Sequence, residues 1–147
     1  MDQHFTGLGL RFRYPVDWEL TEQIGETEAN ITVSSSGTAF WSVTVLRERP
    51  EPFDVLRAAL LAFEDEYDEL DIRESEVELA SRRVASVEVE FVCLELLNTA
   101  CLHAFQTDRA TILVLHQFND DDSDEYEPIL EQISQSLFCD DDIGAFT

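Results

Sequence analysis

"RFRYPVDWEL", residues 11–20, is the segment from which the fold of this chain is first predicted. Tyr14 closes a short alternating strand, and Pro15 ends it because proline has no backbone N–H to donate to a ladder. Asp17 is typical of the turn that follows, since its carboxylate can bond to nearby backbone amides. We expect the chain to return after this turn with Trp18 in the core.

The composition fits one domain, residues 1–147, with a core at about 5–138 and an acidic tail at 139–147. The 32 acidic residues outweigh nine arginines, no lysine is present, and the net charge is -23. Such a charge repels phosphate backbones and anionic lipid, so we predict neither nucleic-acid binding nor membrane insertion. Without lysine, a Schiff base or a P-loop phosphate site is excluded.

The start of the chain, Met1 to His4, is polar and acidic and does not resemble a secretion signal. No apolar run is long enough to cross a bilayer. Cys93, Cys101 and Cys139 are odd in number and follow no zinc-finger spacing. We interpret the three cysteines as free thiols in a reducing compartment, and we therefore predict a cytoplasmic protein.

Alternation with a period of two predicts most of the sheet. The predicted strands are residues 31–35, 40–47, 71–79, 86–96, 100–107 and 111–118. Residues 34–38, SSSGT, predict a hairpin, and the later connections, including one at 97–99, are too short for crossover helices. The strands should therefore form an antiparallel meander.

Two helices are predicted by apolar spacings of three and four. Pro52 is suited to a first helical position, and "FDVLRAALLAFEDEYDEL" at 53–70 continues from it. Ser123 or Asp124 should cap a last helix that has Pro128 in its first turn. Its apolar stripe is Tyr126, Ile129, Leu130, Ile133 and Leu137.

Strand parity also predicts which residues the first helix covers. One common core should contain Trp41, Val43, Val45, Val89 and Phe91 together with Leu56, Leu60 and Phe63 of that helix. If Phe63 is fully buried there, its truncation to alanine should cost about 3 to 5 kcal/mol.

The order of these elements resembles that of the PsbP-like superfamily, which includes the nuclear-import factor that binds the GTPase Ran and small bacterial domains of unknown function. The resemblance rests on a short strand, Pro15 three residues before Trp18, a Ser/Gly hairpin, one long helix, a meander, and a final helix ending "QISQSLF". It implies an α+β fold, an α/β/α sandwich in which a six- to seven-stranded antiparallel sheet carries helices on both faces.

The superfamily consists mostly of binding or accessory proteins: a photosystem subunit, a small-GTPase partner, and bacterial chaperones for secreted effectors. The resemblance therefore implies a non-catalytic protein that holds a protein partner, in a chaperone-like manner, without a cofactor. The chaperones are often dimers, so a homodimer is one option. No site residue can be matched to those proteins, and none is carried over.

Two surfaces are candidates for binding a partner that carries a basic or an apolar segment. Four apolar residues should line the sheet face opposite the core, unless a helix covers them: Phe40, Leu46, Val92 and Leu94. Arg11 and Arg13 lie two apart and should form a positive spot on one strand face. Solvated or ion-paired arginines are the more common interpretation of such a pair.

The acidic segment near residue 120 fails as a calcium loop. Asp120, Asp122, Asp124 and Glu131 occupy the first, third, fifth and twelfth positions of an EF-hand count. Glu125 occupies the sixth position, where that loop requires glycine. We therefore predict that these acidic side chains cap the following helix or are solvated.

Cys101 and His103 share a strand face, and a turn at residues 96–98 would bring Cys93 opposite Cys101. A shift of one residue in register separates the two thiols, and a further ligand requires His116 on the same face. We therefore predict no metal and no catalytic residue. A small enzyme with a cleft near His103 is the alternative hypothesis.

Overall fold

The computed structural model describes residues 2–140. The strands are β1 (Asp2–Gly7), β2 (Leu10–Pro15), β3 (Glu19–Ile24), β4 (Glu28–Ser34), β5 (Phe40–Leu46), β6 (Leu70–Leu79), β7 (Arg82–Cys93), β8 (Leu96–Gln106), β9 (Thr111–Asn119) and β10 (Phe138–Cys139). The helices are α1 (Pro52–Glu66) and α2 (Ser123–Ser136), with a short 3-10 helix at Asp120–Asp122.

The main sheet has seven strands in the order β3-β4-β5-β9-β8-β7-β6, and every neighbouring pair is antiparallel. A small sheet has the order β1-β2-β10. The predicted α+β class and antiparallel meander are confirmed. Within residues 2–140, neither helix is long and apolar enough to cross a membrane.

The two faces of the main sheet carry separate apolar layers. One layer contains Trp41 and Val43 and packs against α2 and the small sheet. The other contains Val89 and Phe91 and packs against α1 through Leu56. The predicted helices on both faces are confirmed, but the prediction of one common core for these residues is wrong.

Strand register explains this division. Trp41 pairs with His116, His116 with Cys101, and Cys101 with Glu88. Directly paired residues point to the same face, so Trp41 shares its face with Glu88, and Val89 points to the opposite one.

Helix α1 begins as predicted, with Pro52 in its first turn, but ends at Glu66 rather than at residue 70. Tyr67 is already extended, with φ of -125° and ψ of 137°. Its ring lies 4.3 Å from that of Phe91, between centroids. Packing of this aromatic ring against the sheet accompanies the end of the helix.

We expect Phe63→Ala to cost about 2 kcal/mol, less than for a fully buried phenylalanine, since apolar burial contributes in proportion to the area removed from water. Phe63 is half-buried, and its ring lies 5.2 Å from that of Phe91. Urea denaturation would measure the loss. A cost equal to that of Phe91→Ala, which removes a side chain only 2% exposed, would contradict this packing.

The last helix differs from its prediction in two details. The side chain of Asn119 accepts a hydrogen bond from the Asp122 amide, so the cap belongs to the 3-10 helix, and no side chain caps α2 itself. Pro128 is the sixth residue of α2 and lies in its second turn. The tail begins with structure, because Cys139 is buried and pairs with Leu10. Residues 141–147 of the predicted tail lie outside the described residues.

Candidate functional site

Three exposed apolar side chains meet where β7 turns into β8. Val92 is 58% exposed, Leu94 is 91% exposed and Leu97 is 39% exposed. Val92 and Leu97 are directly paired across the two strands, and Leu94 lies in the turn between them. We call these three residues the hairpin tip. Adjacent exposed apolar side chains of this kind are typical of interaction sites.

A shallow depression of about 280 Å³ adjoins the hairpin tip. Its apolar lining residues are Leu70, Phe91, Val92 and Leu97, of which Val92 and Leu97 are exposed. Its remaining lining residues carry carboxylates: Glu69, Asp71 and Glu90. The depression can receive one apolar side chain within an acidic border.

The backbone of the turn is unusual for its sequence. Leu94 and Glu95 have φ of 53° and 67°, in the left-handed region. A two-residue hairpin turn with two positive φ angles favours Asn-Gly, because a Cβ atom is strained there. Strain of this kind is often found at functional sites. Leu94 combines backbone strain with nearly complete exposure of an apolar side chain.

The predicted partner-binding residues do not form one surface. Phe40 and Leu46 are half-buried on the sheet face that α1 covers, whereas Val92 points to the opposite face. The assumption that these residues line up is therefore wrong, because it required one shared core face. Val92 and Leu94 remain together at the hairpin tip.

Arg11 and Arg13 point outward from the small sheet and share one face, as predicted. The Arg11 guanidinium lies 4.4 Å from the centre of the exposed Phe138 ring. The backbone amide of Arg13 donates to Ser136 Oγ at 2.9 Å. Neither side chain has an ion pair with a carboxylate among residues 2–140.

The cysteine and histidine group is assembled differently from its prediction. Cys93 pairs with Leu96 at the turn and lies on the other face from Cys101, so those two thiols do not meet. His116 is directly opposite Cys101, and the His103 and His116 rings are 6.1 Å apart. Within residues 2–140, no three side chains of the metal-binding types form a group that could hold an ion.

The protonation states at this group do not suit nucleophilic catalysis. Burial, followed by the charge of Glu88, raises the pKa of Cys101 to about 12. Burial lowers the pKa of His103 to about 4, and burial with the nearby His103 lowers that of His116 to about 3. The thiol and both imidazoles are neutral at physiological pH, whereas a cysteine nucleophile needs its thiolate.

The geometry of the acidic segment excludes an EF-hand loop. Asp120–Asp122 form the 3-10 helix, and Asp124 and Glu131 lie within α2. The four residues at the ligand positions therefore lie in helices. A helical backbone cannot wrap around one ion as a twelve-residue loop does.

Solved structures resemble this chain over most of its length. CyanoP, the cyanobacterial PsbP of Synechocystis, matches with a TM-score of 0.64 at 12% identity, over 95% of this chain and 92% of its own. The chain has a PsbP-like fold. LpqN of Mycobacterium tuberculosis, involved in cell envelope biogenesis, matches with a TM-score of 0.52 at 12% identity, over 94% and 90% of the two chains.

A Bacteroides thetaiotaomicron protein has the same fold with a TM-score of 0.58 at 16% identity. The match covers 90% of this chain but only 45% of that protein. No family model matches the sequence, and no curated protein is significantly similar to it. At these identities the PsbP-like fold is shown, and the activities of the similar proteins are not transferred.

Sequence reasoning missed the hairpin tip as a unit. The sequence predicts Val92 and Leu94 at this surface but assigns Leu97 to a connection, because the turn at residues 94–95 contains no glycine or asparagine. The signal that could have found it is the run "VCLELL" at 92–97, which is too apolar for an exposed connection.

Proposed function

We propose that this protein is a non-catalytic binding protein that holds a polypeptide partner at the hairpin tip. The observation that carries the proposal is Leu94, a large apolar side chain that is 91% exposed on a backbone with φ of 53°. Asparagine would relieve the strain and the exposure together, so the leucine is costly to the isolated fold. A contact with a partner accounts for that cost.

Two further observations support a binding role. The neutral thiol and imidazoles of Cys101, His103 and His116 do not favour the alternative enzyme. The resemblance to PsbP-like proteins implies binding or accessory roles. The free cysteines favour a reducing compartment such as the cytoplasm. The resemblance to the small acidic chaperones of the superfamily implies a chaperone-like form of this function, for a secreted effector.

Replacing the turn residues should separate stability from function. We expect Leu94→Asn/Glu95→Gly to raise the free energy of unfolding by roughly 1 to 2 kcal/mol, because two strained left-handed residues are relieved. Ala80→Asn/Ser81→Gly is the matched control, since φ at those residues is 51° and 63° in the two-residue turn between β6 and β7. The control should stabilise the fold similarly, as measured by urea denaturation.

The two variants should differ in partner binding. Affinity purification from the native host, quantified by mass spectrometry, should recover a partner with the wild-type protein and with the 80–81 control. The same partner should be lost with the 94–95 variant, and Glu95→Gln measures the part due to charge. If the 94–95 variant retains the partner at the wild-type level, the hairpin tip is not the binding site.

A further inference from the structure

The charge around the hairpin tip would decide which polypeptide that proposed site accepts. Three segments meet at this end of the molecule: 64–71 from the end of α1, 90–98 from the hairpin, and 117–125 from the start of α2. Together they contain no arginine, lysine or histidine. We call this region the hairpin end.

Carboxylates of the hairpin end surround the hairpin tip on all three segments. They are Glu64, Asp65, Glu66, Asp68, Glu69, Asp71, Glu90, Glu95, Asp120, Asp121, Asp122, Asp124 and Glu125. Glu90 is the one with an ion pair among the described residues, to Arg73 at 3.2 Å. The others create a negative potential that the fold itself does not compensate.

Most arginines lie at or near the opposite end, where β5 and β8 finish and β7 begins. These are Arg47, Arg49, Arg57, Arg82, Arg83 and Arg109. Arg73 bonds to Glu88 and Glu90, while Arg11 and Arg13 project from the small sheet. Charge is therefore separated along the strand direction, and the hairpin tip lies within the negative part.

We infer that the partner of the hairpin tip is a polypeptide segment with arginines or lysines around at least one large apolar side chain. The apolar side chain enters the depression and contacts Val92 and Leu97, the exposed apolar residues of its lining. The basic side chains meet Glu69 and Asp71 at its border and Glu95 in the adjacent turn, next to Leu94. Apolar contact and charge complementarity then act on the same segment, the first for affinity and the second for orientation and association rate.

A pair of synthetic peptides tests the inference directly. In one, leucines alternate with arginines, and in the other, glutamine replaces every arginine. Fluorescence anisotropy should show that only the arginine peptide binds. Its Kd should rise steeply between about 0.01 and 0.15 M salt, because the screening length falls from about 30 Å to about 8 Å.

Matched charge variants locate the interaction. Glu69→Gln/Asp71→Asn/Glu95→Gln should weaken binding of the arginine peptide roughly tenfold or more, because each replacement removes a close attraction. Glu26→Gln/Glu28→Gln/Glu48→Gln removes the same charge at the opposite end, where all three side chains are exposed, and should change Kd by less than about twofold.

The outcomes separate this inference from the proposed function. Equal loss in both triple variants, equal binding of both peptides, or no binding of either contradicts a basic partner. Binding of the glutamine peptide that disappears in Val92→Ser/Leu94→Asn overturns the inference and leaves the docking site standing. Binding of the arginine peptide that is unchanged in Val92→Ser/Leu94→Asn contradicts the hairpin tip itself.

Discussion

Trp41→Ala is expected to lower the free energy of unfolding by about 3 to 5 kcal/mol, the cost typical of truncating a fully buried aromatic side chain. Trp41 has no exposed surface, and its ring lies 4.7 Å from that of Phe12, between centroids. It therefore joins the main sheet to the small sheet. Urea denaturation with an unchanged m-value would measure the loss.

The indole of Trp41 also connects the sheet to α2, since its Nε1 donates to Ser134 Oγ at 2.9 Å in a buried position. Trp41→Phe keeps most of the apolar volume and leaves the Ser134 hydroxyl without this donor, so we expect a cost of roughly 1 to 3 kcal/mol. A double-mutant cycle with Ser134→Ala isolates the hydrogen bond.

Phe53→Ala is the matched control for Trp41→Ala, because Phe53 is 72% exposed. Its cost should stay within about 0.5 kcal/mol, as for other exposed positions. If Trp41→Ala costs no more than Phe53→Ala, Trp41 is not part of a buried layer between the main sheet and α2.

The sequence was sufficient for the elements that carry strong local signals. Alternation located β5 and the meander, and Pro52 located the start of α1. Strand β3 gave no such signal, because "ELTEQI" at 19–24 is an exposed edge strand with little apolar alternation. Strand β1 was missed for the same reason, since its residues are exposed or half-buried.

Prediction of the candidate site from the sequence depends on one turn, which lacks the residues usually found in such turns. Leu94 and Glu95 occupy positions where asparagine and glycine are the usual signal, so the turn was predicted at 97–99 instead. Because side chains alternate strictly along a strand, this error changed which residues oppose Cys93 and Cys101. The pairing between strands also places Trp41 and Val89 on opposite faces of the sheet, against different helices. The alternation of side chains within each single strand cannot show this.

The stability of the protein is expected to fall as pH decreases from about 6.5 towards 5, through His103 and His116. Both histidines are buried, and burial lowers their pKa values to about 4 and about 3 from 6.5. The unfolded chain takes up protons in this range that the folded chain does not, so stability is present above 6.5 and is lost on acidification. Each histidine should contribute about 2 kcal/mol of loss at pH 5.

The surrounding carboxylates act in the opposite direction. Burial, followed by the charges of Glu131, Glu88 and Asp124, raises the pKa of Glu127, so its protonation favours the folded state as pH falls. Neutralising part of the net charge of -23 also relieves repulsion. The pH dependence of the wild-type stability therefore combines the effects of the histidines and of the carboxylates. Comparison with histidine variants separates them.

His103→Gln and His116→Gln replace each imidazole with a side chain that does not titrate. Urea denaturation between pH 8 and pH 5 should show that each variant loses less stability than the wild type, by about 2 kcal/mol at pH 5. His4→Gln is the control, because His4 is exposed, and it should leave the profile unchanged. Parallel profiles for all four proteins would mean that both imidazoles become protonated without loss of the fold, and would contradict their burial as neutral groups between the sheet and α2.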